Sequence, residues 1–399
     1  MAAELRNMYG KYGYYLGCDP EVFVVREAGQ IRKRVAPVSS EKILPPGDPV
    51  QNNPYVSRDG VQVELHAYSS GCRQSLGYSI QGAFAQLAAY VTQAQIKDPT
   101  IKVTFAPLVT LTKGDMKQMS PESLILNCKP SLNAYGREAV LRDGHEYPIR
   151  TASGHLHLGS ALFQHLRNLG HIDEAVRIFD VLVGITCVLI DQDPSQAIRR
   201  ETYGRAGEYR LPIHGLEYRV PGNFWLKDHI LQSGIFAIAR LAAKACEGLT
   251  ATKDSDAVWA KNALTKEVDF AEVERVINAN DFDGALRIYT KTIRPFADAL
   301  VPNAGFGKGL MDNFEYFVHR IREKGLESWF EVDDASTLTR WINVNTGVGW
   351  ERFLTETVGR RRAKSSFTGF ILLPSVPHPK DNPISAGLIS GASDLRVAA

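Results

Sequence analysis

Four short stretches of this chain carry carboxylates, imidazoles and a guanidinium at alternate positions, three of them bracketed by glycine. Gly17-Cys-Asp-Pro-Glu21 leads into an extended run in which Asp19, Glu21 and Phe23 share one face. In Asp59-Gly-Val-Gln-Val-Glu-Leu-His66, Gln62, Glu64 and His66 share a face, and Val61, Val63 and Leu65 take the other. In Ser153-Gly-His-Leu-His-Leu-Gly159, His155 and His157 stand opposite Leu156 and Leu158. In Gly215-Leu-Glu-Tyr-Arg-Val220, Glu217 and Arg219 stand opposite Leu216, Tyr218 and Val220. One such strand describes an ordinary half-buried antiparallel strand with a wet face. Solvated faces, however, normally carry Thr, Ser, Lys and Gln, and these four do not.

Convergence of the four faces would gather Asp19, Glu21, Glu64 and Glu217. Like charges in a cleft raise one another's pKa or require a counter-ion. Mg²⁺ or Mn²⁺ fits, since both prefer oxygen ligands and bridge carboxylates to phosphates. His155 or His157 could complete such a site, and an imidazole among carboxylates suits Mn²⁺. The blander alternative for His-Leu-His is a pair of structural histidines. Zinc has no support, because no H-E-x-x-H or cysteine-rich pattern is present.

An arginine-rich stretch precedes the last strand. Arg199, Arg200, Arg205 and Arg210 lie close together, interrupted by Gly204 and Gly207. It reads as a flexible basic loop, and arginine forks suit phosphate oxygens. A solvated loop neutralised by Glu201 and Glu208 is the alternative. Its position directly before Glu217-x-Arg219 favours a phosphate clamp, since metals on one side and arginines on the other serve phosphoryl transfer. Pro302 to Gly309 departs from a phosphate loop at both of its ends. No G-x-G-x-x-G follows a strand and no G-x-S-x-G occurs, so nicotinamide and serine-hydrolase chemistry lack support.

The elements that must position these residues follow from periodicity. Val22–Val25, Val61–His66, Ile101–Leu111, Leu124–Asn127, His155–Leu158 and Leu216–Val220 read as strands. Leu76, Ile80, Phe84, Leu87 and Val91 mark an amphipathic helix, and His165–Ile190 a buried one. After Trp225 the texture turns helical: Leu226–Cys246, Val258–Ala279, Gly284–Ala299 and Met311–Lys324, with weaker patterns over Ser336–Val344 and Trp350–Arg361. The expected organisation is a β-rich core over 1–225, a helical region over 226–362 packed on it, and a Ser/Pro/Gly-rich tail over 363–399. Pro37 to Pro54 holds five prolines and reads as a long loop.

Composition bounds the remainder. The 399 residues suffice for a large core, and a net charge of +2 makes no case for nucleic-acid or anionic-membrane partners. Five scattered cysteines without a C-x-x-C pair fit a reducing, cytoplasmic setting. Met1 to Tyr15 is polar and does not resemble a signal peptide. The longest apolar run, Val181 to Ile190, falls short of the roughly 20 residues that span a bilayer.

Taken together, Gly17–Glu21, Gly154–Gly159, Tyr203–Arg210 and Gly215–Arg219 resemble the phage-type COOH–NH2 ligase (amidoligase) family, over roughly Tyr14 to Trp225. The resemblance implies an α+β fold of the glutamine synthetase/glutamate–cysteine ligase type. Its curved antiparallel sheet forms a funnel, with flanking helices and a helical C-terminal region. It implies ATP with Mg²⁺ or Mn²⁺, a carboxylate and an amine borne by small molecules or peptides, and host cytoplasm if the chain is phage-encoded. Related folds often build rings, so a homo-oligomer is compatible. The family's metal ligands would fall on Glu21, Glu64, Glu217 and His155, with Asp19 beside them. Its phosphate-binding arginines would fall on Arg200, Arg205, Arg210 and Arg219, with His157 at the phosphates. Cys128 to Tyr135 departs from the family pattern, carrying Lys129 and Ser131 where carboxylates are usual. In the implied mechanism a carboxylate attacks the γ-phosphate, Arg210 and Arg219 neutralise the developing charge, and an amine then displaces phosphate. Asp59 or Asp19 is the candidate base for the amine proton. Two alternatives stand: phosphoryl transfer to a guanidino group, and a non-catalytic phage-associated binding or structural protein with a degenerate site.

Overall fold

A computed structural model describes residues 13–299 except 29–33, 46–54, 72, 127–130, 228 and 251–255. The helices expected beyond residue 300, the tail, Lys129 and the second half of the proline-rich loop lie outside the described residues.

The described chain mixes helices with antiparallel sheets. One five-stranded sheet runs β1 (Tyr15–Cys18), β10 (Leu156–Gly159), β12 (Gly215–Tyr218), β11 (Glu208–Arg210) and β8 (Leu132–Asn133). A second runs β3 (Arg34–Val38), β2 (Glu21–Ala28), β5 (Gln62–His66) and β4 (Tyr55–Asp59), with β6 (Lys102–Thr104) also paired to β2. The strands β7 (Leu108–Thr110) and β9 (Ile149–Thr151) form a small pair. Only Asp19 and Pro20 separate β1 from β2, so the two large sheets meet at Asp19.

Alternation decides which way each strand faces. Leu156, Leu158, Leu216 and Tyr218 are fully buried in the main core. Each buried leucine contributes about 1.5–3 kcal/mol. A one-residue slip would drive His157 and Glu217 into the apolar core in their place, so the register is strongly specified. Val22, Val24, Val63 and Leu65 anchor the second sheet in the same way.

Helices cover the apolar faces. Arg73–Gln95 contains the amphipathic pattern and packs on β4 and β5. His229–Cys246 packs on it, on Ile172–Phe179 and on β10. The same core cluster includes Val276, Ala285 and Ile293, so the helices after Trp225 share one apolar interior with the sheets.

Several boundaries differ from the sequence pattern. The single helix expected over His165–Ile190 is broken: Ala161–Asn168 ends at Gly170, whose φ of 77° a side chain would strain, and Ile172–Phe179 begins afresh. It then runs through a π-helical turn, Asp180–Gly184, into Ile185–Ile190. The strand expected over Ile101–Leu111 splits into β6 and β7 across Phe105–Pro107. Leu124 closes a short helix, Pro121–Leu124, rather than opening a strand. Ser120 caps that helix by accepting from the Ser123 N–H, and proline is suited to its first turn. The helix expected over Val258–Ala279 is two, Asp256–Thr265 and Phe270–Ala279, because the Asp269 side chain caps the second.

Candidate active site

The pairing of the strands lines the polar residues into two rows. Across the first sheet, Gly17 pairs with His157, His157 with Glu217, and Glu217 with Arg210. Across the second, Glu21 pairs with Glu64, and Glu64 with Ser57. Asp19, in the connection between the sheets, joins the rows.

Asp19 is the hinge of the electrostatics. Its Oδ1 lies 3.0 Å from His157 Nε2 and 3.2 Å from His155 Nδ1. Burial opposes its ionisation, yet the two imidazoles outweigh burial and hold the carboxyl well below its usual range. His157 shows the reciprocal balance: burial lowers it, but the adjacent Asp19 leaves it raised. His155 is lowered, chiefly by burial, although Asp19 opposes this.

His155 is buried behind the row rather than in it. Its Nε2 lies 2.8 Å from the Tyr203 hydroxyl and accepts from Arg219 Nε at 3.4 Å. With Nε2 accepting, the neutral ring carries its proton on Nδ1, toward Asp19. Gly154 permits this seat, since a Cβ there would overlap the Gly222 carbonyl and the Trp225 indole. The Trp225 indole N–H also donates to the Gly154 carbonyl.

Glu217 sits between two guanidinium groups and an imidazole. Its Oε1 is 3.1 Å from Arg219 Nε, 3.4 Å from Arg210 Nη1 and 3.6 Å from His155 Nδ1. None of these contacts has hydrogen-bond geometry, and this buried oxygen has no hydrogen-bond partner. Arg219 is itself buried and donates to the Tyr203 and Ser131 hydroxyls. Ser131 therefore meets a guanidinium where the family pattern has a carboxylate.

On the second sheet, Glu21 accepts from the Ser153 N–H at 2.8 Å. Burial, with the charges of Asp59 and Glu64 added, raises its carboxyl well above the ordinary range. Burial raises Glu64 as well, against the pull of His66 3.3 Å away. Asp59 ends β4 opposite Gln62, and its charge reaches both glutamates.

Asp19, His157 and Glu217 each offer a ligand atom within 4.8 Å of the others. The structure thus assembles a metal-capable trio containing His157, which the sequence placed at the phosphates, while His155 supports it from behind. Glu21 and Glu64 stand on the adjoining sheet.

Two of the expected phosphate arginines are not brought into this cluster. The basic stretch is a packed segment rather than a flexible loop. Arg199 is fully buried and donates to the carbonyls of Ala152, Val220 and Pro221. Gly204, at φ 72°, lies against that guanidinium. Arg200 is buried and donates to Asn280 at 2.6 Å. Arg205 pairs with Glu208 at 3.0 Å and donates to the Glu138 carbonyl. Arg210 and Arg219 are the two that reach Glu217.

The structure adds two residues that the sequence did not single out. Tyr203 bridges His155 and Arg219. His214 Nε2 lies 3.2 Å from His157 Nδ1 with the rings stacked. Tyr203 lies within the quoted Tyr203–Arg210 motif, whereas a lone histidine before a strand gave no signal.

No curated protein and no solved structure matches the chain. Residues 140–266 contain His155, His157, the arginine stretch and Glu217, and they match the model of the phage phiEco32-like COOH.NH2 ligase family, type 2, the family that the sequence motifs resemble.

Proposed function

We propose that this chain is an ATP-dependent carboxylate–amine ligase that works through an acyl phosphate. The observation that carries the reading is the row Arg210–Glu217–His157 joined through Asp19 to Glu21 and Glu64. Cationic and anionic groups are held there in one partly buried array. Such preorganised charge is the main requirement for phosphoryl transfer.

The residues fit a divalent cation. Glu217 Oε1 is a buried acceptor without a hydrogen-bond partner, and Asp19 and His157 offer the matching atoms. Asp19, His157 and Glu217 would hold Mg²⁺ or Mn²⁺, and the raised carboxyls of Glu21 and Glu64 fit a second cation. When bound, such an ion supplies positive charge to phosphate oxygens.

The chain's own groups do the rest. Arg210 and Arg219 neutralise charge on the phosphoryl group as a substrate carboxylate oxygen bonds to the γ-phosphorus and the bond to ADP breaks. Tyr203 and Ser131 hold the Arg219 fork in place. The amine nitrogen then bonds to the acyl carbon, the carbon–oxygen bond to phosphate breaks, and Asp59 or Asp19 takes the amine proton.

The test is Mg²⁺-dependent release of ADP and phosphate from ATP, with a pool of amino acids and peptides, in wild type and Glu217→Gln. Turnover stimulated by the pool in the wild type alone, with both proteins folded by circular dichroism, is the expected result. ADP without an amide product would favour transfer to a guanidino group. Absence of ATP binding would favour a non-catalytic role.

A further inference from the structure

A cavity of about 730 Å³ adjoins the cluster, and Tyr15, Asp19, His66, Tyr68, His157 and His214 are among the residues lining it. It lies at the β1–β10 side of the first sheet, whereas Arg210 lies two strands from β10 on the other side. Among the described lining residues there is no lysine and no arginine.

We propose that this cavity receives the amine substrate of the ligase, as a primary ammonium borne by a peptide. The proposal rests on the ligase reading above. Three features argue for it.

Charge is the first. Asp19 lines the cavity, and Glu64 stands 3.3 Å from the lining His66. Carboxylates at this wall favour a cationic ligand, and its described residues include no lysine or arginine to hold a phosphate. The two phenol rings add faces on which an ammonium can rest.

The absence of lysine and arginine among the described lining residues is the second. A free amino acid would bring its own carboxylate into the cavity, and recognition of that group uses arginine or lysine. A peptide-borne amine brings no such charge.

Shape is the third. The volume lies within the roughly 300–1,000 Å³ of pockets that hold ligands of drug size, far more than ammonia needs. Tyr15 and Tyr68 on the lining and Ile213 beside His214 are exposed apolar side chains, at 57%, 38% and 97%. Such residues around a cleft suit contact with a longer chain. The inner wall, at Asp19 and His157, places the amine beside the residues assigned to the phosphoryl step.

The experiment titrates the full chain, with Mg²⁺ and a non-hydrolysable ATP analogue, against Nα-acetyl-lysine N-methylamide and alanyl-alanine amide. Imidazole signals are followed by NMR. Saturable shifts of His66 and His214 are expected with at least one of these amines. Nε-acetylation of the lysine probe should abolish its shifts, and Tyr68→Ala should weaken binding by roughly two- to fivefold. Nα-acetyl-lysine, with its carboxylate uncovered, should bind more weakly than its amide. The proposal is overturned by absence of saturable shifts, by equal shifts from the Nε-acetylated probe, or by unchanged affinity in Tyr68→Ala. The ADP-release assay separates the two levels. Turnover without ammonium binding here overturns the cavity assignment alone. Binding here with no turnover from any pool upholds an amine site and sinks the ligase reading.

Discussion

His157 and Glu217 stand directly opposite each other on β10 and β12, and Asp19 reaches His157 from the connection between the two sheets. Three potential ligands thus come from three separate chain segments, fixed by strand register rather than by a local motif. The first prediction follows. Wild type should bind Mn²⁺, and His157→Ala or Asp19→Asn should weaken binding about tenfold or more. His155→Ala should act less on affinity, because His155 stands behind Asp19 and Glu217 and is not one of the three ligands. Calorimetric titration with MnCl₂ measures both, and equal losses would remove the distinction between the histidines.

Arg219 is buried against Glu217 and His155. Removing one partner of a buried pair leaves an uncompensated charge, at a cost of roughly 3–5 kcal/mol. Arg219→Met should therefore lower stability by about that amount, while Glu217→Gln/Arg219→Met should recover part of it. Denaturant unfolding of the two variants tests the coupling. Strict additivity with Glu217→Gln would argue against it.

Arg199 and Arg205 should behave differently from Arg210. Arg199 holds the backbone carbonyls of Ala152, Val220 and Pro221, so Arg199→Met should reduce soluble, folded protein. Hydrogen bonds from a charged donor are worth about 1.5–3 kcal/mol each. Arg210→Met should leave the melting temperature nearly unchanged and impair ATP turnover. A melting-temperature loss for Arg210→Met as large as that for Arg199→Met would refute the division.

Asp180 accepts from the Tyr218 hydroxyl at 2.6 Å behind the first sheet. Burial pushes its carboxyl up to about 7. The sign follows: below about pH 4 the folded and unfolded states are both protonated. As pH rises toward 7, the unfolded state releases a proton that the folded state keeps, so stability falls. The total is on the order of 4 kcal/mol at most. Asp180→Asn should flatten this part of the stability profile. Chemical denaturation at a series of pH values between 4 and 8 would show it, and an unchanged slope would count against the assignment.

The alternation of polar and apolar residues was enough to tell which side chains share a face. Gln62, Glu64 and His66 lie together, as do Glu217 and Arg219, because strand geometry has a period of two and the leucines and valines opposite must be buried. Helix existence was legible for the same reason, while helix ends were not: the breaks at Gly170 and Asp269 depend on single caps within apolar runs. Which residues meet across the sheets was beyond the sequence. That Glu217 faces His157, and Glu21 faces Glu64, depends on register between strands far apart in the chain. Arginine density marked Arg199 to Arg210 as one basic loop, because type and spacing carry no information about depth. Only the packed structure separates Arg199, spent on three buried carbonyls, from Arg210 and Arg219, which turn toward Glu217. The reason is physical: a buried guanidinium takes the acceptors that tertiary packing brings to it.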